Sequence, residues 1–251
     1  MRVRGWWVVS LALLLGGCGS GNYNWGWYVV SPLHDQGWRN ITFLLGGLGY
    51  TVALSLLAIL ASVLLGLVVA LPGLSANRYA RLLNRGYVEL LRAVPLLVML
   101  LWVYYGLPVV LGLSLEPFLA GVIALALCDS AFEAEIFRGG LQAIDKGQHE
   151  AADALGLGYA DKLRFVILPQ AIRLILPPLG NQFVYMLKMS SLVSVIGLAE
   201  LTRRANELVV NVYRPLEIYT FLVLEYLLLI LLVSYLVRRL ERRLRTDWRY
   251  R

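Results

Sequence analysis

Charged side chains are scarce in this chain of 251 residues. Asp, Glu, Lys and Arg together make up 16% of it, against roughly a quarter in soluble globular domains. The remainder is strongly apolar, with 59% hydrophobic residues and a mean hydropathy of +0.68. Because the apolar residues occur in long runs, the composition predicts an integral membrane protein.

Cysteine and histidine are also rare, with two residues of each in the whole chain. Cys18 lies near the N-terminus and Cys128 lies inside an apolar run, so they do not form the pattern of a disulfide pair. His34 and His149 are far apart in the sequence. We therefore expect no metal site.

No motif for catalysis or nucleotide binding is present. Ser, His and acidic residues do not form a recognisable catalytic pattern, and the GxxxxGK[ST] phosphate loop is missing. We therefore expect no catalytic residue and no bound cofactor, and any nucleotide energy has to be supplied by another chain. The net charge of +7 indicates loops on the cytoplasmic side and anionic lipid, not nucleic acid.

The first 20 residues resemble a leader. Arg2 and Arg4 precede an apolar stretch that is too short to cross a bilayer. Leu15-Gly16-Gly17-Cys18 resembles a bacterial lipobox, although a chance cysteine after a hydrophobic leader gives the same pattern. Residues 21–42 follow as an extracytoplasmic segment, whose aromatic residues are typical of membrane-interface anchors: Trp25, Trp27, Tyr28 and Trp38.

Five apolar stretches are long enough to cross a membrane, and they define a transmembrane domain over residues 43–237. Pro95 lies inside the second stretch, and Pro177-Pro178 should kink or break the fourth. The expected spans are 43–71, 88–113, 117–137, 171–196 and 216–237. Residues 238–251 then form a basic tail.

The distribution of Lys and Arg predicts how these spans are oriented. The loops 72–87 and 138–170 and the tail hold most of the positive charge, and all three fall on one side. That side is cytoplasmic by the positive-inside rule, which places the N-terminus outside. Three arginines fall on the opposite side and count against this assignment: Arg203, Arg204 and Arg214.

A polar stretch at about residues 147–169 separates the third span from the fourth. A short helix is expected from Gln148 to Leu155, ended by Gly156 and Gly158. A second helical turn should follow from Ala160 to Phe165, and Pro169 should interrupt it. Small side chains in this stretch would let another backbone approach closely, as in a docking helix. The alternative is an ordinary loop that contains a helical piece.

Ionisable and amide residues inside the spans are the candidates for a transport pathway. Asp129 lies in the middle of the third span, and Glu133 lies one turn further on the same face. A carboxylate at this depth costs several kcal/mol unless it is paired, protonated or hydrated. The two residues form either a cation-attracting surface or an internal contact, for example with Lys188. Asn181 and Gln182 are either substrate ligands or helix-to-helix hydrogen bonds.

A series of motifs carries a family resemblance over about residues 40 to 245. Glu150-Ala151-Ala152, then Gly156 and Leu168-Pro169, resembles the EAA loop of permease subunits of bacterial ABC importers. The flanking motifs are similar to those of polar amino acid permeases: Arg92-Ala93-Val94-Pro95-Leu96-Leu97, Tyr104-Tyr105-Gly106-Leu107-Pro108, Ala134-Glu135-Ile136-Phe137-Arg138, Pro169-Gln170-Ala171-Ile172-Arg173 and Leu176-Pro177-Pro178-Leu179-Gly180-Asn181-Gln182.

The resemblance implies an all-α membrane protein of the bacterial inner membrane, with the five-helix core of a type I ABC importer and a cytoplasmic coupling helix. It implies a second permease subunit, identical or homologous, and a periplasmic amino acid-binding protein. An ABC ATPase dimer would use ATP and Mg. In the coupling helix, Glu150 would make polar contacts with the ATPase, Ala151 and Ala152 would pack in its groove, and Gly156 would allow the following turn.

Asp129 and Glu133 depart from the family pattern, in which such positions are small, neutral or apolar. The two carboxylates therefore suggest a basic amino acid as substrate.

Two other functions remain open. One is a secondary transporter or channel that works without ATP, although the five spans show no inverted repeat. The other is a membrane scaffold that transports nothing.

Overall fold

The computed structural model describes residues 23–244, so the leader with Cys18 and the end of the basic tail lie outside the described part. Within residues 23–244 the secondary structure is entirely helical, which confirms the all-α fold class. A short 3-10 helix, Trp27–Val30, precedes nine helices. They are α1 (Asp35–Leu45), α2 (Leu48–Leu74), α3 (Arg78–Ala93), α4 (Leu96–Leu111), α5 (Pro117–Gln142), α6 (Lys146–Ala154), α7 (Tyr159–Ile196), α8 (Leu201–Val212) and α9 (Pro215–Leu244).

Four helical segments are long and apolar enough to cross a membrane, namely α1 with α2, α5, α7 and α9. A fifth crossing is formed if the bent pair of α3 and α4 counts as one span. The described chain thus accommodates the five predicted spans. The first of them is longer than expected, because α1 continues outward from α2 and the segment covers Asp35–Leu74.

The second span begins later than residue 88. α3 and α4 meet at an angle of 95°, and Pro95 stands at the joint as the residue that precedes α4. Val94 is extended (φ −85°, ψ 124°), because the proline ring disfavours helical geometry in the residue before it. Pro95 therefore lies at a bend between two helices, and not inside one continuous helix.

The fourth span also differs from its prediction. Pro177 and Pro178 lie inside an unbroken helix, so the expected break is absent, and the helix begins as early as Tyr159. Pro169 does not interrupt it either. A π-helical turn over Lys162–Ile167 ends two residues before this proline, and its wider hydrogen-bonding pattern accommodates a residue that has no N–H to donate.

Helices α2 and α5 run side by side in the same direction. Ser62 Oγ lies 2.8 Å from Asp129 Oδ2, a Cβ added at Gly66 would lie 2.4 Å from Glu133 Cβ, and one added at Gly121 would lie 3.1 Å from Leu54 Cδ1. In all three pairs the residue on α5 is numbered 67 higher. A constant offset means that the helices are parallel and in register. Small residues make this close approach possible.

We expect Gly66→Ala to destabilise the protein, because the new methyl group would overlap Glu133 Cβ in the α2–α5 contact. Overpacking of this kind costs about 1–3 kcal/mol. Gly49→Ala is the matched control on the same helix, since a Cβ there meets nothing within 4 Å and alanine favours the helix by about 1 kcal/mol. Thermal unfolding of both variants in detergent gives the comparison. Equal midpoints would contradict the tight contact at Gly66.

The end of the molecule near α8 is held by buried acidic residues. Glu200 precedes α8 and accepts hydrogen bonds from the backbone N–H groups of Thr202 (3.0 Å) and Arg203 (2.8 Å), which caps the helix. Burial raises the pKa of this carboxyl, and the two N–H donors partly offset the increase. Glu217 accepts from the backbone N–H of Gly26 (2.6 Å) and from the Tyr23 hydroxyl. The N-terminal segment is thereby fixed to the start of α9.

The three arginines at this end, which oppose the charge rule, all have local partners. Arg203 pairs with Glu207 at 2.9 Å, Arg204 stacks on the ring of Phe43 at 4.7 Å, and Arg214 donates to the backbone carbonyl of Asn24. Local pairing and stacking reduce their weight as orientation signals.

Candidate functional site

Asp129 lies in the middle of α5, where α2 and α7 both pack against it. Its side chain is only 3% exposed. One carboxylate oxygen accepts a hydrogen bond from Ser62 Oγ on α2, and the other accepts one from the Gln182 side-chain amide on α7. A buried carboxylate needs such donors. Asp129 therefore links three helices at one level of the membrane domain.

A cavity of about 140 Å³ opens beside Asp129. The joint between α3 and α4 forms one wall, and α5 and α7 form the others. Arg92, Asp129, Phe132, Tyr185 and Met189 are among its lining residues. The Arg92 guanidinium lies over the ring of Phe132, 4.9 Å from its centroid. The cavity therefore carries one basic and one acidic group on a wall that is otherwise mostly apolar.

Glu133 lies one turn beyond Asp129, as predicted, but outside the lining of this cavity. Its side chain is fully buried and packs beside Gly66 of α2. Among the described residues, neither carboxylate oxygen has a hydrogen-bond partner. A buried carboxyl without donors is costly in its charged form. Both oxygens of Glu133 are thus available as hydrogen-bond acceptors, one helical turn from Asp129.

The other predicted pathway residues separate into two groups. Gln182 joins the site through its bond to Asp129, whereas Asn181 and Lys188 are exposed. The ion pairs found within residues 23–244 are Glu135–Arg138, Asp153–Lys162 and Glu207–Arg203. The suggested pairing of Lys188 with Asp129 or Glu133 is therefore not formed. Glu135 pairs with Arg138 at 2.6 Å, near the end of α5.

The first part of the polar stretch after α5 folds close to its prediction. α6 covers Lys146–Ala154, and Asp145 caps it by accepting from the backbone N–H of Gly147 at 2.6 Å. Gly156 follows with φ +73°, a left-handed conformation that glycine adopts without steric cost. Lys162 Nζ lies 2.6 Å from Asp153 Oδ1, which fixes α6 to the start of α7.

The residues of the EAA loop do not all face outward. Glu150 and Ala151 are exposed, as are Leu168 and Pro169. Ala152 is only 2% exposed and packs inside the chain. The expectation that Ala152 fills a groove of a partner protein is therefore not met in this arrangement, because its methyl group already has neighbours within the chain.

Two large residues beside Gly156 were missed from the sequence. Leu155 is 79% exposed and Tyr159 is 78% exposed, and both flank the left-handed turn. The sequence did contain a sign of them, because large apolar residues are unusual within a polar stretch. In the cavity, Arg92 and Tyr185 were also missed. No pattern in the sequence shows that the start of one span lies beside the middle of another.

Residues 62–246 match the family described as binding-protein-dependent transport system inner membrane component. This match covers most of the chain and all the candidate residues. The chain belongs to this family. It is a permease, a membrane component of a transport system, and the predicted family resemblance is confirmed.

Individual relatives agree with this assignment. The permease is 37% identical to the glutamine transport system permease protein GlnP of Escherichia coli (strain K12) over 209 residues, which is 83% of this chain and 95% of the relative. It is 36% identical to the arginine transport system permease protein ArtQ of Bacillus subtilis (strain 168), over 82% of this chain and 94% of the relative. Both are therefore similar along nearly their whole length.

A solved structure shows the same architecture. The crystal structure of an amino acid ABC transporter with histidines contains a chain that is 44% identical to the permease, with a TM-score of 0.77 over 82% of this chain and 95% of that one. A MetNI methionine ABC transporter, in an inward-facing conformation, has a TM-score of 0.69 at 19% identity. That second likeness supports the fold alone.

Proposed function

We propose that this permease is the membrane-spanning subunit of an ATP-driven importer of polar amino acids in the bacterial inner membrane. The observation that carries the proposal is the cavity with Asp129 and Arg92 on its wall. Support also comes from the relatives named for glutamine and arginine transport. A free amino acid carries one ammonium and one carboxylate, and the cavity offers one group of opposite charge for each.

Charge balance assigns the roles within the cavity. Arg92 donates to the substrate carboxylate, since a guanidinium matches the geometry of a carboxylate with two parallel hydrogen bonds. Asp129 accepts from the ammonium, while Ser62 and Gln182 hold the Asp129 carboxylate in place. A buried ionic group of this kind in a membrane protein marks a substrate or ion pathway.

A basic amino acid is the narrower form of the proposal. Its second positive charge needs a second carboxylate, because Arg92 and Asp129 already balance the two charges of the amino acid backbone. Glu133 is one turn from Asp129, and its oxygens have no hydrogen-bond partner among the described residues. A change of side-chain conformation that brings Glu133 to the cavity would supply this charge. Exposed Asn181 and Lys188 are then contacts on the outer part of the pathway.

The partner that supplies energy docks at α6. An ABC ATPase dimer would bind ATP and Mg, with Glu150, Ala151 and Gly156 at the contact and the exposed Leu155 and Tyr159 as its apolar part. Leu168 and Pro169 at the base of α7 complete this surface. Movement of α6 would then change the access of the cavity from one side of the membrane to the other.

Orientation follows from the charges. The end of the molecule that carries α6 is cytoplasmic, since the arginines of α3 and those at the end of α9 lie there. The N-terminal segment and α8 then lie outside, where a periplasmic amino acid-binding protein would deliver substrate. A second permease subunit, a copy or a homologue, would pair with this one and give the ATPase dimer two coupling helices.

Transport in proteoliposomes tests the proposal. The purified complex, reconstituted with its ATPase and binding protein, should transport radiolabelled amino acid only when ATP is present. The ATP must be on the side of the membrane where the ATPase subunits lie. Unlabelled glutamine, arginine, lysine and leucine in competition would identify the substrate class. Uptake without ATP would support a secondary transporter, and a complex that binds the ATPase but takes up none of the panel would support a scaffold. Either result would overturn the proposal.

A further inference from the structure

α3 is turned sharply away from the axis of α4. The two helices meet at 95°, so α3 runs along the surface of the bilayer when α4 is placed along the membrane normal. α3 also follows directly on the end of α2, which places it at the same end of the molecule as α6. Helices in this position bury an apolar face among lipid chains and keep charged groups at the headgroups.

Three different faces run along α3. Asn84, Val88 and Leu91 are buried and hold the helix to the core, with Asn84 donating to the backbone carbonyl of Val69 at 2.6 Å. A second face is apolar yet exposed, and its residues recur at helical spacing: Tyr79 (65%), Leu82 (67%), Leu83 (75%) and Leu90 (63%). In water such a stripe would be unfavourable, whereas lipid acyl chains cover it at no cost.

The third face is basic and opens on a pocket of about 360 Å³ between α3, the end of α2 and the end of α5. Four arginines and two glutamates line it, namely Arg81, Arg85, Arg92, Arg138, Glu89 and Glu135. The excess of positive charge is thus two.

The partners of these arginines differ. Arg138 is paired with Glu135, and Arg81 donates to the carbonyls of Ser75 and Ala76. Arg92 stacks on Phe132. No ion pair within residues 23–244 includes Arg85, although it lines the same pocket. The pocket therefore presents uncompensated positive charge beside a lipid-exposed leucine stripe.

We propose that this pocket binds the phosphate of an anionic phospholipid, with Arg85 as its central donor and the acyl chains along Leu82, Leu83 and Leu90. A guanidinium donates two hydrogen bonds to phosphate oxygens. Basic pockets at helix ends on this side of a membrane protein bind such headgroups. The adjoining exposed leucines select a lipid over a free phosphate ion, which has no apolar part.

Native mass spectrometry of the purified permease–ATPase complex tests this site. The complex in mild detergent is titrated with phosphatidylglycerol or with phosphatidylcholine of the same chain length, and bound lipids are counted. We expect preferential binding of phosphatidylglycerol, and Arg85→Gln should weaken it about fivefold, the effect of one basic residue at an anionic surface. Arg78→Gln is the matched control, because Arg78 lies on the same helix outside the pocket lining.

Four results would overturn the proposal. Equal binding of the two lipids would remove the role of the phosphate charge. An equal loss in Arg78→Gln and Arg85→Gln would indicate a general surface effect. Release of the ATPase by Arg85→Gln, with lipid binding unchanged, would assign the basic face to the ATPase. Soluble glycerol phosphate, added at the same concentrations, should not displace the lipid, and displacement would mean that a free phosphate compound suffices.

Discussion

Asp129→Asn should lower the uptake of the transported amino acid by about 10- to 100-fold. The variant keeps the shape of the side chain and one oxygen that accepts a hydrogen bond, so Ser62 or Gln182 retains a partner. It removes the charge that holds the substrate ammonium, and hydrogen bonds to charged groups contribute about 1.5–3 kcal/mol. Initial rates of radiolabelled uptake in proteoliposomes provide the measurement.

The substrate dependence of this loss shows which positive group of the substrate Asp129 holds. If Asp129 holds the backbone ammonium, glutamine and arginine uptake fall together. If it holds a side-chain cation, arginine and lysine uptake fall and glutamine uptake does not. Asp35→Asn makes the same chemical change at an exposed position on α1 and should leave uptake unchanged. Unaltered uptake in Asp129→Asn would reject a role in substrate binding, while co-purification of the ATPase should persist throughout.

Leu155→Asp should release the ATPase. Leu155 is 79% exposed, so the substitution changes the stability of the permease itself by less than about 0.5 kcal/mol. A buried apolar anchor at a protein interface commonly contributes about 2 kcal/mol or more, and a carboxylate left in that contact adds a desolvation cost. We expect the affinity for the ATPase to fall about 30-fold or more. Co-purification and ATP-dependent uptake would both be lost.

Leu33→Asp is the matched control for this prediction. Leu33 is 90% exposed and lies near α1, at the opposite end of the molecule from α6. The same substitution there should leave the ATPase bound. Glu150→Lys should weaken the contact as well, through reversal of an exposed charge on α6. An ATPase that stays bound to Leu155→Asp and to Glu150→Lys would place the energy input elsewhere.

Local signals in the sequence predicted the α6 region well. The small residues of the helix and the glycine that ends it, Gly156, act over a few neighbouring positions, and the helix lies within two residues of its prediction. The burial of Ala152 was not predictable in the same way. Ala151 and Ala152 are identical side chains in neighbouring positions. Only the packing of α6 against the start of α7 decides which of the two methyl groups faces inward.

Prolines gave an unreliable guide to the membrane helices. Pro95, predicted inside the second span, stands at a right-angled joint between two helices. Pro177 and Pro178 were expected to kink or break the fourth span, and the helix continues through them without a break. Each of these residues lacks a backbone N–H and disfavours a helical residue before it. Whether the chain bends depends on neighbouring helices, and a single sequence does not contain that information.

The cavity could be predicted only in part. Asp129 stood out because a charge in an apolar run is rare, and Gln182 was a polar candidate on a neighbouring span. Arg92 lies at the start of the second predicted span, far in sequence from Asp129. Its place over Phe132, on the wall of the same cavity, follows from the bend at Pro95.

The in-register pairing of α2 with α5 limits which parts of the permease can move. Gly66 receives Glu133, and Ser62 receives Asp129, so sliding by one turn would separate both pairs and force Glu133 against larger side chains. These two helices therefore form one rigid body. In the proposed importer, α7 would then be the helix that moves against this body, and the hydrogen bond from Gln182 to Asp129 would break in that movement.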